Sequence, residues 1–289
     1  MNIIVGKNSG FCSGVKYTIT KAEEELKQNS TIDCLGEIIH NKQVVESLEK
    51  KGLRTINSLD EAKNKVLIRA HGISKEIYDL ANSRNIQLID LTCPKVLAIH
   101  KQVEDFSNNN YFIFLFGIKN HPETIGTFSF CGENSCIIEN VDDIEDAIKL
   151  FKASNLNNLL IISQTTFSLS LFDEMANHVS SSLEGKYNVH IEKSICNATN
   201  LRQVETKKMS HDSDLMIIIG GKNSSNTKKL YEIAIKNCNH AIQIQTKDDL
   251  DLNFVKDFEN IGIVAGASTP DYIIKEVYNA CLDADKILY

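Results

Sequence analysis

The chain has 289 residues, a formal net charge of −7, and 42% hydrophobic against 24% charged residues. That balance excludes intrinsic disorder as the main state and fits one large domain or two to three small ones. The negative charge argues against a broad nucleic-acid surface, and no apolar run reaches the roughly 18–20 residues of a membrane span.

Short apolar runs alternate with stretches of helical spacing. Strands are expected at Asn2–Val5, Ile32–Leu35, Val66–Arg69, Gln87–Asp90, Tyr111–Phe116, Leu159–Ser163, Val189–Ser194, Leu215–Ile219, Ala241–Gln245 and Ile261–Ala265. Several are apolar on both faces, as in a sheet covered on both sides. Helices are expected at Val15–Gln28, Lys42–Lys51, Val96–Phe106, Phe172–Leu183, Asn200–His211, Thr227–Asn237 and Tyr272–Leu282. Strand followed by helix, repeated, predicts an α/β chain with largely parallel sheets.

The opening MNIIVGKNSGFCSG lacks a basic region followed by an apolar one, so no secretion signal is read there. The eight cysteines are then expected to be thiols, metal ligands or redox groups in a cytoplasmic protein, not a disulfide framework. Three of them share one setting. Cys12, Cys93 and Cys196 each follow an expected strand and precede an expected helix, Cys93 with Pro94 at a favoured first helical position. A helix N-terminus favours thiolate, and three such thiolates suit a soft metal site, above all an iron–sulfur cluster. Cys34, Cys131, Cys136, Cys238 and Cys281 read as ordinary small apolar residues, and no C-x-x-C spacing is present.

In open α/β sheets, ligands bind beyond the carboxyl ends of the strands. Polar residues collect at those ends: His40 in LGEIIHN, His71 in RAHG, His121 and Glu123 in HPETIG, and Thr165 with Thr166 in SQTT. Ser224, Ser225 and Asn226 follow in GGKNSSN, and Ser268 and Thr269 in GASTPD, where Thr269 is the expected cap of a helix starting at Pro270. The set suits an anion held by histidines and neutral hydrogen bonds beside an acid that delivers a proton. Neither a dinucleotide fingerprint nor a P-loop occurs.

Taken in order, GFCSGV, LGEIIHN, RAHG, DLTCP, HPE, SQTT, ICNAT, GGKNSSN and GAS-x-PD give a chain that resembles the 4-hydroxy-3-methylbut-2-enyl diphosphate reductase (LytB) family from residue 1 to about 275. The resemblance implies three similar α/β units in a trefoil-like arrangement around a central cavity. Their expected borders are 1–13 for an N-terminal strand and cysteine loop, then 14–94, 95–191 and 192–289. It further implies one 4Fe–4S cluster on Cys12, Cys93 and Cys196, its fourth iron open to substrate. His40, His71, His121, Ser224, Ser225, Asn226 and Ser268 are implied to hold the diphosphate, Glu123 to feed protons with His121 beside it, and Thr165 to place the substrate hydroxyl. The implied reaction is a two-electron, two-proton dehydroxylation giving isopentenyl and dimethylallyl diphosphates, the last step of the methylerythritol phosphate route, with a ferredoxin or flavodoxin as donor. Two other readings of the residues remain open at this point: a non-catalytic iron–sulfur redox sensor and a three-ligand zinc hydrolase.

Overall fold

Strand and helix alternate through most of the computed structural model, which describes residues 1–286. In chain order the elements are β1 (Asn2–Val5), α1 (Ser13–Gln28), β2 (Ile32–Leu35), α2 (Lys42–Glu49), β3 (Leu53–Ile56), β4 (Val66–Ile68), α3 (Lys75–Ser83), β5 (Leu88–Asp90) and α4 (Pro94–Asn108). They continue with β6 (Tyr111–Phe116), α5 (Pro122–Phe128), β7 (Ser135–Ile138), α6 (Ile144–Ala153), β8 (Asn158–Ser163), α7 (Leu169–Leu183), β9 (Asn188–Ile191) and α8 (Asn197–Asp212). The last are β10 (Leu215–Ile219), α9 (Ser225–Asn237), β11 (His240–Ile244), α10 (Leu252–Val255), β12 (Asn260–Ala265) and α11 (Asp271–Lys286).

The strands form three all-parallel, four-stranded sheets in the orders β1-β12-β10-β11, β5-β4-β2-β3 and β9-β8-β6-β7. Written this way the sheets superpose in plan. In the second, the chain enters at the inner strand β2, crosses to the edge β3, returns to β4 and ends at the other edge, β5. The third repeats this with β6, β7, β8 and β9. The first starts the same path at β10, β11 and β12, but its last place is filled by the chain's first strand, with Asn2 registered on Asn260. The fold is therefore three similar α/β modules, one of them assembled from both ends of the chain.

By its contacts the chain divides into two compact units. One comprises Met1–Lys16, Ile39–Ser47 and the chain from Asn197 onward, and the other Tyr17–Ile38 and Leu48–Cys196. The first sheet lies in the former and the other two in the latter.

Strand periodicity decides the cores. In the third sheet, Phe112, Phe114, Phe116, Leu159 and Ile161 face one layer of helices, packed with Phe151, Phe172 and Met175. The intervening Ile113, Leu115, Leu160 and Ile162 face the opposite layer, with Ile99 and Val103. Both faces of each inner strand are thus dry, which is why these strands read as unbroken apolar runs. Three helices end on an asparagine: Asn85, Asn110 and Asn155, just after α3, α4 and α6, have φ of 54°, 60° and 58°. Asparagine tolerates that left-handed position and stops the helix before the next strand.

Beneath the second sheet, Asp33 on β2 is fully buried and collects donors. The Arg54 fork from β3 binds both its oxygens at 2.7 and 2.8 Å, and the N–H groups of Lys63 and Asn64 donate to Oδ2 at 2.8 and 3.0 Å. Burial works to raise the carboxyl, but these partners outweigh it and hold Asp33 at about 2. Asp33→Ala orphans all of them and is expected to cost about 2–3 kcal/mol, the scale of hydrogen bonds to a charged group. Because the folded value is depressed, the stability linked to Asp33 is full above the ordinary 3.8 and is lost as pH falls through about 2. Urea titrations from pH 7 to pH 2 check this: the variant is weaker at neutral pH, and the gap to the parent chain closes in acid.

Candidate active site

The modules place the candidate residues in three equivalent positions each. After the inner strands β2, β6 and β10 come His40, then His121 with Glu123, then Ser224, Ser225 and Asn226. After the neighbouring strands β4, β8 and β12 come His71, Thr165 and Ser268. After the edge strands β5, β9 and β1 come Cys93, Cys196 and Cys12. Each cysteine immediately precedes the first residue of a helix: Ser13 of α1, Pro94 of α4, Asn197 of α8.

A backbone hydrogen bond fixes each cysteine in the same way. The N–H of Cys12 donates to Ala267 O at 3.1 Å, that of Cys93 to Ala70 O at 3.0 Å, and that of Cys196 to Thr165 O at 3.0 Å. These acceptors lie in the loops after β12, β4 and β8, so every cysteine is tied to the loop that carries, or adjoins, Ser268, His71 or Thr165. All three are half-buried thiols held in no disulfide. Cys12 Sγ also accepts the N–H of Val15, at 3.4 Å, in the first turn of α1.

Within the unit that holds Cys93 and Cys196, the acid is built from α5 and the loop after β8. His121 caps α5, its Nδ1 accepting the N–H of Glu123 at 3.1 Å. That assigns the ring proton to Nε2, a donor suited to an anion. The His71 ring meets His121 edge-on, with centroids 5.5 Å apart. The Glu123 side chain turns inward, 2% exposed, where its Oε1 accepts the N–H of Thr165 at 2.6 Å and its Oε2 the Thr165 hydroxyl at 2.8 Å. Burial pushes the Glu123 carboxyl up to about 7, against the pull of the two bonds from Thr165. Gln164 joins the same loops, its Oε1 accepting from the Ile118 N–H and the Thr124 hydroxyl, both at 3.2 Å. The sequence reading passes over Gln164, although it stands inside SQTT.

Within the other unit, Ser268 Oγ donates to the backbone oxygen of His40 at 3.2 Å. Ser224 caps α9 by accepting the Thr227 N–H at 3.3 Å. Asn226 is 3% exposed, and neither atom of its amide has a hydrogen-bond partner. Such an orphaned amide costs roughly 1–3 kcal/mol until a ligand satisfies it. The Thr269 hydroxyl donates to Ile219 O at 3.0 Å instead of capping a helix, and α11 starts at Asp271, one residue after Pro270.

The loop before Cys12 is held by α8, which the sequence reading also passes over. Glu205 accepts the N–H groups of Lys7 and Asn8 at 2.8 and 2.9 Å and the Asn8 amide at 3.1 Å. Arg202 donates to Gly10 O at 2.6 Å and to Ala198 O at 2.8 Å. An acid and a base on adjacent turns of one helix thus anchor both ends of GKNSG. Their spacing is ordinary for a solvated helix face, so the signal exists only in three dimensions.

The sequence matches the family model described as LytB protein over residues 3–282. The chain belongs to the LytB protein family. It is 39% identical over 280 residues to the 4-hydroxy-3-methylbut-2-enyl diphosphate reductase of Clostridioides difficile, covering 96% of this chain and 98% of that one. The reductase of the same name from Aquifex aeolicus is 38% identical over 283 residues, with coverages of 96% and 94%. Among solved structures, the E-1-hydroxy-2-methyl-but-2-enyl-4-diphosphate reductase of Plasmodium falciparum is similar with a TM-score of 0.86 and 32% identity, covering 96% of this chain and 87% of that one. An (E)-4-hydroxy-3-methyl-but-2-enyl diphosphate reductase described as the terminal enzyme of the non-mevalonate pathway is similar with a TM-score of 0.69 and 38% identity, with coverages of 98% and 99%. Family membership agrees with the α/β modules described above. Among the described residues, no helix is long and apolar enough to cross a membrane.

The brace on the Cys12 loop gives a direct expectation. Glu205→Ala removes a carboxylate that satisfies three donors, and losing even one such bond, at about 1.5 kcal/mol, multiplies the open population on the order of tenfold. In metal-free protein, alkylation of Cys12 followed by peptide mass spectrometry should accelerate by about that factor, with Cys93 labelled at its parent rate. An unchanged rate at Cys12 shows that Glu205 does not hold the loop.

Proposed function

We propose that this chain is a 4-hydroxy-3-methylbut-2-enyl diphosphate reductase. It removes the substrate's hydroxyl with two electrons and two protons and releases water with isopentenyl and dimethylallyl diphosphates. The observation that carries the reading is the repeated cysteine position, each thiol preceding a helix and each N–H bound to a loop of candidate polar residues. The curated relatives of the same name support it.

In this reading Cys12, Cys93 and Cys196 are the protein ligands of one 4Fe–4S cluster, whose fourth iron takes none. The donor set fits. These three are half-buried thiols at helix starts, whereas burial pushes Cys34, Cys131 and Cys136 up to about 12 and Cys281 up to about 11. Cys238 Sγ is committed to the carbonyls of Ser213 and His240, both at 3.2 Å. When bound, such a cluster supplies the electrons, delivered by a ferredoxin or flavodoxin, and a Lewis acid for the departing oxygen.

The chain's own residues do the rest. His40, His71, His121, Ser224, Ser225, Asn226 and Ser268 bind the diphosphate, and the unsatisfied Asn226 amide is the most committed of them. Glu123 keeps its proton in a substantial share of molecules at neutral pH, because burial outweighs the pull of its neutral partners. Thr165 orients that carboxyl through both its N–H and its hydroxyl; when the hydroxyl turns to give its own hydrogen to the leaving oxygen, its Oγ takes the Glu123 proton in exchange. His121 fixes the turn on which Glu123 stands.

Cys12→Ser, Cys93→Ser and Cys196→Ser, prepared without oxygen, are each expected to lose iron, the brown colour and dye-linked reductase activity, whereas Cys131→Ser keeps all three. Full iron in any of the first three removes that residue from the ligand set, and a colourless zinc protein removes the cluster altogether. Glu123→Gln should bind substrate normally and turn over 10²–10⁴-fold more slowly, the usual worth of a positioned acid. In the parent enzyme the carboxyl must carry its proton, so turnover falls as pH rises through about 7. The raised value also means that stability linked to Glu123 is full below its ordinary 4.5 and is lost as pH rises through about 7. The Gln variant flattens that part of the stability curve. A pH–rate profile with an unchanged upper limb in the variant takes Glu123 out of the proton path.

A further inference from the structure

Inside the unit that holds the second and third sheets lies a cleft of about 420 Å³ that none of the candidate site residues lines. Its volume falls in the roughly 300–1,000 Å³ range of small-ligand sites. Leu59, Ile77 and Ile125 contribute aliphatic wall, and Arg69, Ser58 and Ser74 contribute polar groups.

Arg69 is the unusual member. It is half-buried, its Nε is buried without a hydrogen-bond partner, and it forms no ion pair among the described residues. Room for its guanidinium exists only because β2 is followed by Gly36, at φ +73°; a Cβ there would stand 2.3 Å from Arg69 Nη1. Of the two acidic groups beside it, Glu37 is exposed, and the buried Cys34 thiol, pushed up to about 12, carries no charge. A guanidinium drawn out of water without a carboxylate is costly, and its planar fork matches phosphate or carboxylate oxygens.

We propose that this cleft is a second binding site, for a small amphipathic anion whose phosphate head pairs with Arg69 and whose hydrocarbon packs on Leu59, Ile77 and Ile125. Resting on the reductase reading, the five-carbon diphosphate products belong to that class, and the cleft is a feedback site. The coupling is short. Arg69 O accepts the Gly72 N–H at 3.0 Å, closing the turn that carries His71. Pro122 and Ile125, on either side of Glu123, line the same cleft from α5. An occupant therefore bears on the backbone of both residues.

The test is equilibrium dialysis of the anaerobic holoenzyme against labelled dimethylallyl diphosphate, with dye-linked reductase kinetics in parallel. Two molecules should bind per chain. Arg69→Met, with iron content and circular dichroism confirming a folded, loaded protein, should bind one, and Arg69→Lys should keep a weakened second site. Inorganic diphosphate should fill the second site at least tenfold more weakly, since it lacks the hydrocarbon. In the kinetics, added product should lower kcat in the parent enzyme and raise only KM in Arg69→Met. One equivalent in the parent, or two in Arg69→Met, overturns the site. Equal affinity for inorganic diphosphate overturns the amphipathic ligand, and an unchanged kcat effect in Arg69→Met overturns the feedback role. A chain that binds two equivalents but reduces no substrate keeps the cleft and refutes the reductase reading, so the two failures are distinct.

Discussion

Three backbone hydrogen bonds, from the N–H groups of Cys12, Cys93 and Cys196 to Ala267, Ala70 and Thr165, set the geometry of the candidate site. Each ties the residue just before a helix, reached from an edge strand, to the loop that follows that strand's inner neighbour. A parallel sheet needs a crossover between neighbours, and most crossovers here carry a helix, so strand ends and helix starts gather at one edge of each sheet. The cysteine is the last residue before a helix and the loop it bonds to carries a polar candidate. One bond therefore sets the position of a thiol and of the group beside it. Similar modules repeat the pairing without similar sequences, because the bond uses backbone atoms alone.

The repetition also explains what was legible in the sequence and what was not. Inner strands such as Tyr111–Phe116 and Leu215–Ile219 are buried on both faces, and their apolar runs mark them at the observed boundaries. β3 and β7 went unread. They are equivalent edge strands of four residues with half-buried faces, and LRTI and SCII carry little pattern. Among the helices outside the expected examples, α5 and α10 have only seven and four residues, too few for periodicity to show. The expected strand Val189–Ser194 stops at Ile191 for a specific reason. Ser194 Oγ accepts the Ser163 N–H at 2.8 Å and donates to Ser163 O at 2.5 Å, so a side chain takes over the ladder. That frees the backbone to turn toward Cys196.

The three-by-three plan of the site residues was only partly visible. Three cysteines with one local setting could be read from strand, loop and helix order. That His71, Thr165 and Ser268 share a second position could not, because the first sheet is closed by Asn2 registering on Asn260 and no local pattern announces so distant a pairing. The braces at Arg202 and Glu205 were hidden for the same reason: on α8 they look like any charged surface, and only the fold brings the loop before Cys12 under them.

Two buried carboxylates show how the same fold holds one carboxyl charged and lets another keep a proton. Asp33 and Glu123 are 0% and 2% exposed, so both pay for desolvation. Asp33 faces a guanidinium fork and two peptide N–H groups, and these hold it at about 2, so it is charged at neutral pH and has no proton to give there. Glu123 faces one threonine, whose N–H and hydroxyl are neutral donors, and burial prevails at about 7. Glutamate-to-aspartate differences in chain length do not produce that contrast; the charge of the partners does. A cation placed beside Glu123 would hold its carboxyl charged, and the module leaves that place to a hydroxyl.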